Sequence, residues 1–343
     1  MTAFGMTHPA DASSEAYAPL VARLSGQRIL VVGDVMLDEF FWGRASRIAP
    51  EAPVPVVEIE RESYVLGGAA NVAANIRALG GLPFVVGVVG DDLAAEHLRD
   101  TLLRWHLEWH GLVVDANRPT TRKTRVMVNA HQMARFDRES RQPIPADIET
   151  TLMRKVDAWL PEVSAVAISD YDKGVLTPRF LHHVLTHARQ RGLPVALDPK
   201  PVRFASYQPV TVVTPNHHEA ALIAQMPVTD EPSLEAASHR LSAMLGRAHV
   251  LITRGEAGMT LYEAPGHIHH IPATAREVYD VTGAGDTVLA TLILGLSAGL
   301  TLHQAAHLAN RAAGIVVGKL GTATVRPEEL LAGQALAATP AGR

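Results

Sequence analysis

The sequence contains no cysteine, which excludes disulfides, thiol nucleophiles and cysteine-based zinc sites and leaves no sign of an oxidising compartment. No stretch reaches the ~18 consecutive apolar residues of a membrane span. Residues 1–15, MTAFGMTHPADASSE, have neither the basic start nor the apolar run of a secretion signal, so a cytoplasmic location without membrane partners is expected. GxxxxGK(S/T) is absent and no GxGxxG follows the first apolar run, so neither a P-loop nor a dinucleotide-binding turn is expected. The formal net charge of -4 gives no basic face for nucleic acid. Aromatic residues are scarce, at 5% against 47% hydrophobic residues in all, so Ala, Val, Leu and Ile must build the interior, as in a parallel sheet covered by helices on both faces.

What is present has a rhythm. RILVVGDVML (28–37), PFVVGVVG (83–90), AVAISDY (165–171), PVALDPK (194–200), VTVVTPN (210–216) and HVLITRG (249–255) each predict a buried strand that ends in a polar residue or glycine. Helical patterns lie between them, at 68–80, 91–105, 179–192 and 233–246. The alternation predicts an α/β protein with a doubly wound, mainly parallel sheet flanked by helices, and ligands beyond the carboxyl ends of its strands. Two segments, at about 53–66 and 121–137, alternate apolar and polar residues instead and predict half-exposed antiparallel strands forming a small β-sheet lid. From Thr282 two packed helices are expected. One domain is expected over 16–332, with a disordered tail over 1–15 and a loose one over 333–343. Among 17 histidines, HIHH (267–270) has no HExxH or spaced triad beside it and is expected in an exposed loop.

The stretch YDVTGAGDTVLA (279–290) carries the chemistry. Gly283, Ala284 and Gly285 let backbone approach a ligand, and a helix starting there aims unpaired N–H groups at it, which makes an anion hole. Asp286 at its mouth sits where a phosphate meets a hydroxyl and, if ionised at neutral pH, can take the hydroxyl proton. Taken alone, the same string also describes a tight turn with Asp286 as a helix cap.

DVTGAGDT resembles the C-terminal signature of the ribokinase (PfkB) family of sugar kinases, and LGGAANVAANIRALGG (66–81) resembles its N-terminal one. The similarity runs from about Ser25 to Val325. It implies a ribokinase-like fold, ATP and Mg2+ as cofactors, and Asp286 as catalytic base with Gly283, Ala284 and Gly285 as its anion hole. For ATP it implies Asn216 and Glu219, an N-x-x-E element that organises Mg2+ through water, with Thr253, Arg254, Gly255 and Gly258 as the nucleotide turn and Lys200, near Asp198, beside the phosphates. Asp280 and Thr282, with backbone near Gly321, resemble a loop that holds a monovalent cation such as K+. For the sugar it implies Asp34 at the end of the first strand, Asp38 in the loop after it, and Gly67, Gly68 and Asn71, the last as a hydroxyl contact.

Residues 33–59 and SDYDKGVLT (169–177) are similar to bacterial D-glycero-β-D-manno-heptose 7-phosphate kinases, which implies transfer to the C1 hydroxyl on a route to ADP-heptose and lipopolysaccharide. A substrate that already carries a phosphate needs cations, and Arg44, Arg47, Arg122, Lys123, Arg125, Arg135 and Lys173 are the candidates. Many relatives in this subgroup carry a fused adenylyltransferase; with no HxGH motif before Arg343, a separate protein is expected to perform that step. The competing readings are a family kinase for fructose phosphate, ribose or a nucleoside, and a non-catalytic sugar-phosphate sensor on the same fold. The intact set of Asp286, Gly283, Gly285, Asn216 and Glu219 speaks against the sensor. Half-exposed lid strands seek cover, so a homodimer through the lid is expected.

Overall fold

Each apolar run is long enough for one buried strand and ends at a residue that breaks it. The computed structural model, which describes residues 14–332 apart from 130, 275–277 and 320, forms strands at all of them. In chain order the first strands are β1 (Arg28–Gly33), β2 (Val35–Ile48), β3 (Pro55–Gly68), β4 (Leu82–Val89), β5 (Leu112–Val114), β6 (Arg122–Val128) and β7 (His131–Arg138). They continue as β8 (Ala165–Ser169), β9 (Val195–Asp198), β10 (Val212–Val213), β11 (His249–Thr253), β12 (Met259–Glu263) and β13 (His267–Ile271). The helices are α1 (Ser14–Ala22), α2 (Ala69–Ala78), α3 (Leu93–Arg104), α4 (Ala146–Trp159) and α5 (Pro178–Gln190), then α6 (His217–Ala224), α7 (Glu231–Met244), α8 (Ala284–Ser297), α9 (Leu302–Val316) and α10 (Pro327–Ala332). None is long and apolar enough to cross a membrane.

Among the described residues, nine strands form the main sheet in the order β13-β12-β11-β10-β9-β8-β1-β4-β5, parallel from β5 to β11 and antiparallel at β12 and β13. Alternate side chains of β1 serve opposite faces: Ile29 and Val31 join the core under α2, α8 and α9, whereas Leu30 and Val32 join the core under α4, α5 and α7. Burial of each such side chain stabilises the fold by about 1.5–3 kcal/mol. From β1 the chain winds outward through β4 and β5, and from β8 it winds the other way, so the strand order reverses between β1 and β8. A crevice opens at that reversal, beyond the carboxyl ends.

The small sheet differs from expectation in three ways. It has four strands, in the order β3-β2-β6-β7, because residues 28–37 are two strands rather than one and 121–137 fold into a hairpin. β2 and β6 run parallel, not antiparallel. Asp38 therefore lies within β2 and not in a loop, facing Lys123 and Arg125 of β6. The HIHH run is likewise not a loop: it forms edge strand β13. Of the expected tails, 1–13 and 333–343 lie outside the described residues, and α1 already begins at Ser14.

Asp34 is the joint between the two sheets. Its buried carboxylate accepts the backbone N–H groups of Tyr171 (2.8 Å), Lys173 (3.1 Å) and Val175 (3.4 Å), and its carbonyl accepts Ala69 N–H at the start of α2 (3.0 Å). Burial pushes its carboxyl up to about 6, and the nearby charge of Asp170 adds to this, against those three N–H donors. The 170–176 loop is held from outside as well, by Arg118 on the Lys173 carbonyl (3.0 Å) and Arg203 on the Leu176 carbonyl (2.7 Å). Gly174 in this loop takes φ +81°, and a Cβ there would run into the Gln142 carbonyl. Gly174→Ala is expected to cost about 2–3 kcal/mol from left-handed strain plus a backbone clash. A lower urea midpoint at unchanged slope is the expected measurement.

Candidate active site

Three helices begin at the crevice. α2 starts after Gly68, α6 after Asn216 and α8 after Gly283, which sits at φ +81° as the residue before the helix. Ala284 donates its N–H back to the Val281 carbonyl (3.2 Å). It is therefore spent on the turn and does not serve the anion hole expected of it. Gly285 and Asp286 come next in the first turn, where a helix supplies no acceptors for its own N–H groups. Nothing lies within 4 Å of where a Gly285 Cβ would stand, so that approach is open.

Asp286 is buried and does not cap the helix. Its Oδ2 accepts from Asn71 Nδ2 (2.8 Å) and its Oδ1 from the Tyr171 hydroxyl (2.9 Å). Asn71 is placed in turn by Asn75, whose Nδ2 donates to the Asn71 Oδ1 (3.2 Å) and whose Oδ1 accepts from Thr287 (2.9 Å). One of the two N–H donors of the Asn71 amide is thus given to Asp286. Burial pushes the Asp286 carboxyl up to about 7; Asn71 and Tyr171 pull it down, and the charge of Asp38 adds to the rise. A carboxylate poised there can accept a proton near neutral pH, whereas the sequence implied one simply ionised.

On the nucleotide side, Asn216 and Glu219 form a reciprocal capping box at 3.0 Å in each direction, and Glu219 also pairs with Lys200 (2.5 Å). The Lys200 ammonium stands 5.6 Å from the Tyr171 ring centre. Burial, with Glu219 and Asp286 nearby, pushes the Asp198 carboxyl up to about 8 in spite of Lys200. Three carboxylates around one ammonium are short of positive charge. Asn216 bridges to Thr253, joining the capping box to the turn of Arg254, Gly255 and Gly258. Gly258 has φ +81°, and a Cβ there would strike the Ile271 carbonyl. Beside that turn is a cavity of about 260 Å³ lined by His217, Val228, Leu234, Arg254 and Ala257, among others.

Six of the seven expected phosphate-holding cations are paired with carboxylates, and the seventh, Arg47, lies exposed on β2. Arg125 meets Asp38 (2.5 Å), Lys123 meets Asp137 (3.3 Å) and Glu139 (3.8 Å), Lys173 meets Glu139 (2.8 Å), and Arg122 meets Glu39 (3.6 Å). Arg125 and Lys173 are only 11% and 9% exposed, so they are not the solvated charges of an open surface. Arg44 and Arg135 are exposed and pair with Glu60 and Asp137. A Cβ on Gly67 would stand 2.5 Å from Asp38 Oδ2, which explains the glycine: β3 presses directly on the Asp38 carboxylate.

Asp280 brackets two loops, accepting from Thr282 N–H (2.9 Å) and Gly321 N–H (3.0 Å). Those hydrogen bonds outweigh its burial and hold its carboxyl below the usual range. Sequence therefore brought together Asp286, Asn71, Asn216, Glu219, Lys200 and the Thr253 turn. It passed over Tyr171, though SDYDKG contains it, and Asn75, one helical turn beyond Asn71.

A doubly wound sheet, a small β-sheet beside its switch point and an aspartate in the first turn of a helix define a ribokinase-like sugar kinase, a phosphotransferase with an alcohol acceptor. The chain belongs to the pfkB family of carbohydrate kinases, whose model matches residues 27–329. It is 47% identical over 310 residues to the bifunctional protein HldE of Citrifermentans bemidjiense and 49% identical over 318 residues to that of Caulobacter sp. strain K31. These alignments cover 90% and 92% of the chain but 64% of each relative, so the chain spans just under two thirds of their length. Among solved structures, phosphofructokinase-2 from Escherichia coli in complex with potassium is similar at a TM-score of 0.72 over 92% of the chain and all of its own, with 17% identity, and so shares the fold.

Proposed function

We propose that this kinase transfers the γ-phosphate of ATP to the C1 hydroxyl of D-glycero-β-D-manno-heptose 7-phosphate, giving the 1,7-bisphosphate, in a cytoplasmic route to ADP-heptose for lipopolysaccharide. The observation that carries the chemistry is the Asp286 carboxylate, oriented by Asn71 and Tyr171 in the first turn of α8. The sugar choice rests on the similarity of residues 33–59 and on the relatives at 47% and 49% identity. Asp286 takes the C1 hydroxyl proton as the oxygen attacks, and the N–H groups of Gly285 and Asp286 face the charge on the transferring group. ATP lies along the Asn216–Thr253 bridge, its base in the cavity by Arg254 and its phosphates towards Lys200. Mg2+ fits the carboxylates of Asp198 and Glu219, where positive charge is in deficit; when bound it neutralises charge on the phosphates. K+ is proposed at the Asp280 and Gly321 loops. Closure of the small sheet excludes water and brings Lys123, Arg125 and Lys173 to the 7-phosphate, which displaces their carboxylate partners.

A second copy of the chain is proposed to cover the apolar residues Ile48, Ile59, Met133 and Phe136, which lie exposed on β2, β3 and β7. A dimeric mass in solution at micromolar concentration supports this, and a monomeric mass removes it.

The deciding assay is ADP release with the heptose 7-phosphate beside fructose 6-phosphate, fructose 1-phosphate, ribose and adenosine, with and without Mg2+. Turnover confined to the heptose phosphate supports the reading, and turnover on another sugar overturns the substrate while leaving the chemistry. Silence on all of them favours a sensor. The pH dependence follows from Asp286. The base works ionised, and its pKa is raised to about 7, so kcat/KM should climb with pH through that value and level off above it. Below it the loss is about tenfold per pH unit. A profile flat from pH 5 to 8 contradicts this.

A further inference from the structure

We propose that Asp157, His183 and His187 form a metal site apart from the phosphoryl-transfer centre, one that takes a single Zn2+ ion and clamps α4 to α5. The two helices lie side by side and run in the same direction. Near their starts, Glu149 of α4 accepts from Thr177 and from Arg179 (2.7 Å); two turns further along, Asp157 meets His183 at 2.8 Å. His183 and His187 are one turn apart on α5, with ring centres 4.0 Å apart.

One ligand atom from each of the three residues lies within 4.8 Å of the other two. Small side-chain rotations bring such atoms to the ~3.3 Å separation that tetrahedral geometry with bonds of about 2.0–2.1 Å requires. The tautomer of His187 already suits a ligand. Its Nδ1 lies 2.7 Å from the His183 carbonyl, which can only accept, so the proton sits on Nδ1 and the Nε2 lone pair is left for a metal. Asp157 and His187 both lie in the last turns of their helices, where the carbonyl ends favour a cation. Two imidazoles and a carboxylate suit Zn2+ rather than Mg2+ or Ca2+, which take oxygen ligands. Asp157 is 49% exposed, so an ion can enter and a water can complete the coordination.

Because α5 leads from the carboxyl end of β8 to the amino end of β9, its last turn lies at the end of the sheet opposite Asp286. Zn2+ there acts on stability and leaves turnover alone. The test is calorimetric titration of the full chain with ZnCl2 in buffer containing Mg2+, for the wild type, His187→Gln and Asp157→Asn. Each variant should bind one Zn2+ fewer than wild type, lose a Zn2+-dependent rise in Tm of about 3 °C, and keep kinase turnover measured without zinc. With Co2+ in place of Zn2+, the visible absorption of a tetrahedral site should be stronger in wild type than in either variant. The count is taken as a difference because His303 and His307, with Nε2 atoms 3.3 Å apart, offer zinc a second foothold. Equal zinc stoichiometry in wild type and both variants, or none in wild type, overturns the proposal.

Discussion

Asp286→Asn is expected to lower kcat by about 10³-fold while the KM for each substrate changes only a few-fold. The substitution is nearly isosteric, and the fold should tolerate it. Asn71 donates to one oxygen of Asp286 and the Tyr171 hydroxyl to the other. An asparagine keeps one oxygen to accept from Asn71, and the hydroxyl can rotate to accept from the new amide. What disappears is the lone pair that takes the sugar's proton. Single-turnover ADP formation separates this from slow product release, and turnover within tenfold of wild type would remove Asp286 from the role of base.

Gly283→Ala should be nearly as damaging, by a different route. The residue stands at φ +81°, where a side chain costs about 1–2 kcal/mol. Its Cβ would also come within 2.8 Å of Asn71 Nδ2, the atom that holds Asp286. Either the start of α8 shifts or Asn71 moves off the carboxylate. A drop in kcat of about 10²-fold is expected, since misplacement of reacting groups by an ångström is enough for that. A lower Tm should accompany it. Full activity with only a lower Tm would mean that Asn71 is not needed to hold the base.

The fold was legible because its strands are buried on both faces, so each appears as an unbroken apolar run such as ILVV or AVAI. The joint at Asp34 was not legible, because residues 28–37 remain apolar while the chain passes from the main sheet to the small one. Only the backbone N–H groups that Asp34 gathers reveal the change of direction. Asp286, Asn216 and Glu219 could be found because short motifs fix them. Tyr171 could not, since its role depends on a hydroxyl crossing the crevice to a residue 115 positions away. The cations were identified as residues but not as members of ion pairs, because pairs such as Arg125 with Asp38 form between strands distant in sequence.

The joint at Asp34 also bears on how such a kinase can diversify. On one side of it lie Tyr171 and the base, fixed through a loop anchored at several backbone atoms. On the other side β2 leaves the core and runs outward between β3 and β6. Substitutions far out on β2 and β3 therefore leave the hydrogen bonds of Asp286 in place, whereas Asp38, near the inner end of β2, still reaches it through its charge. A lineage can vary those outer positions without first losing its ability to move phosphate.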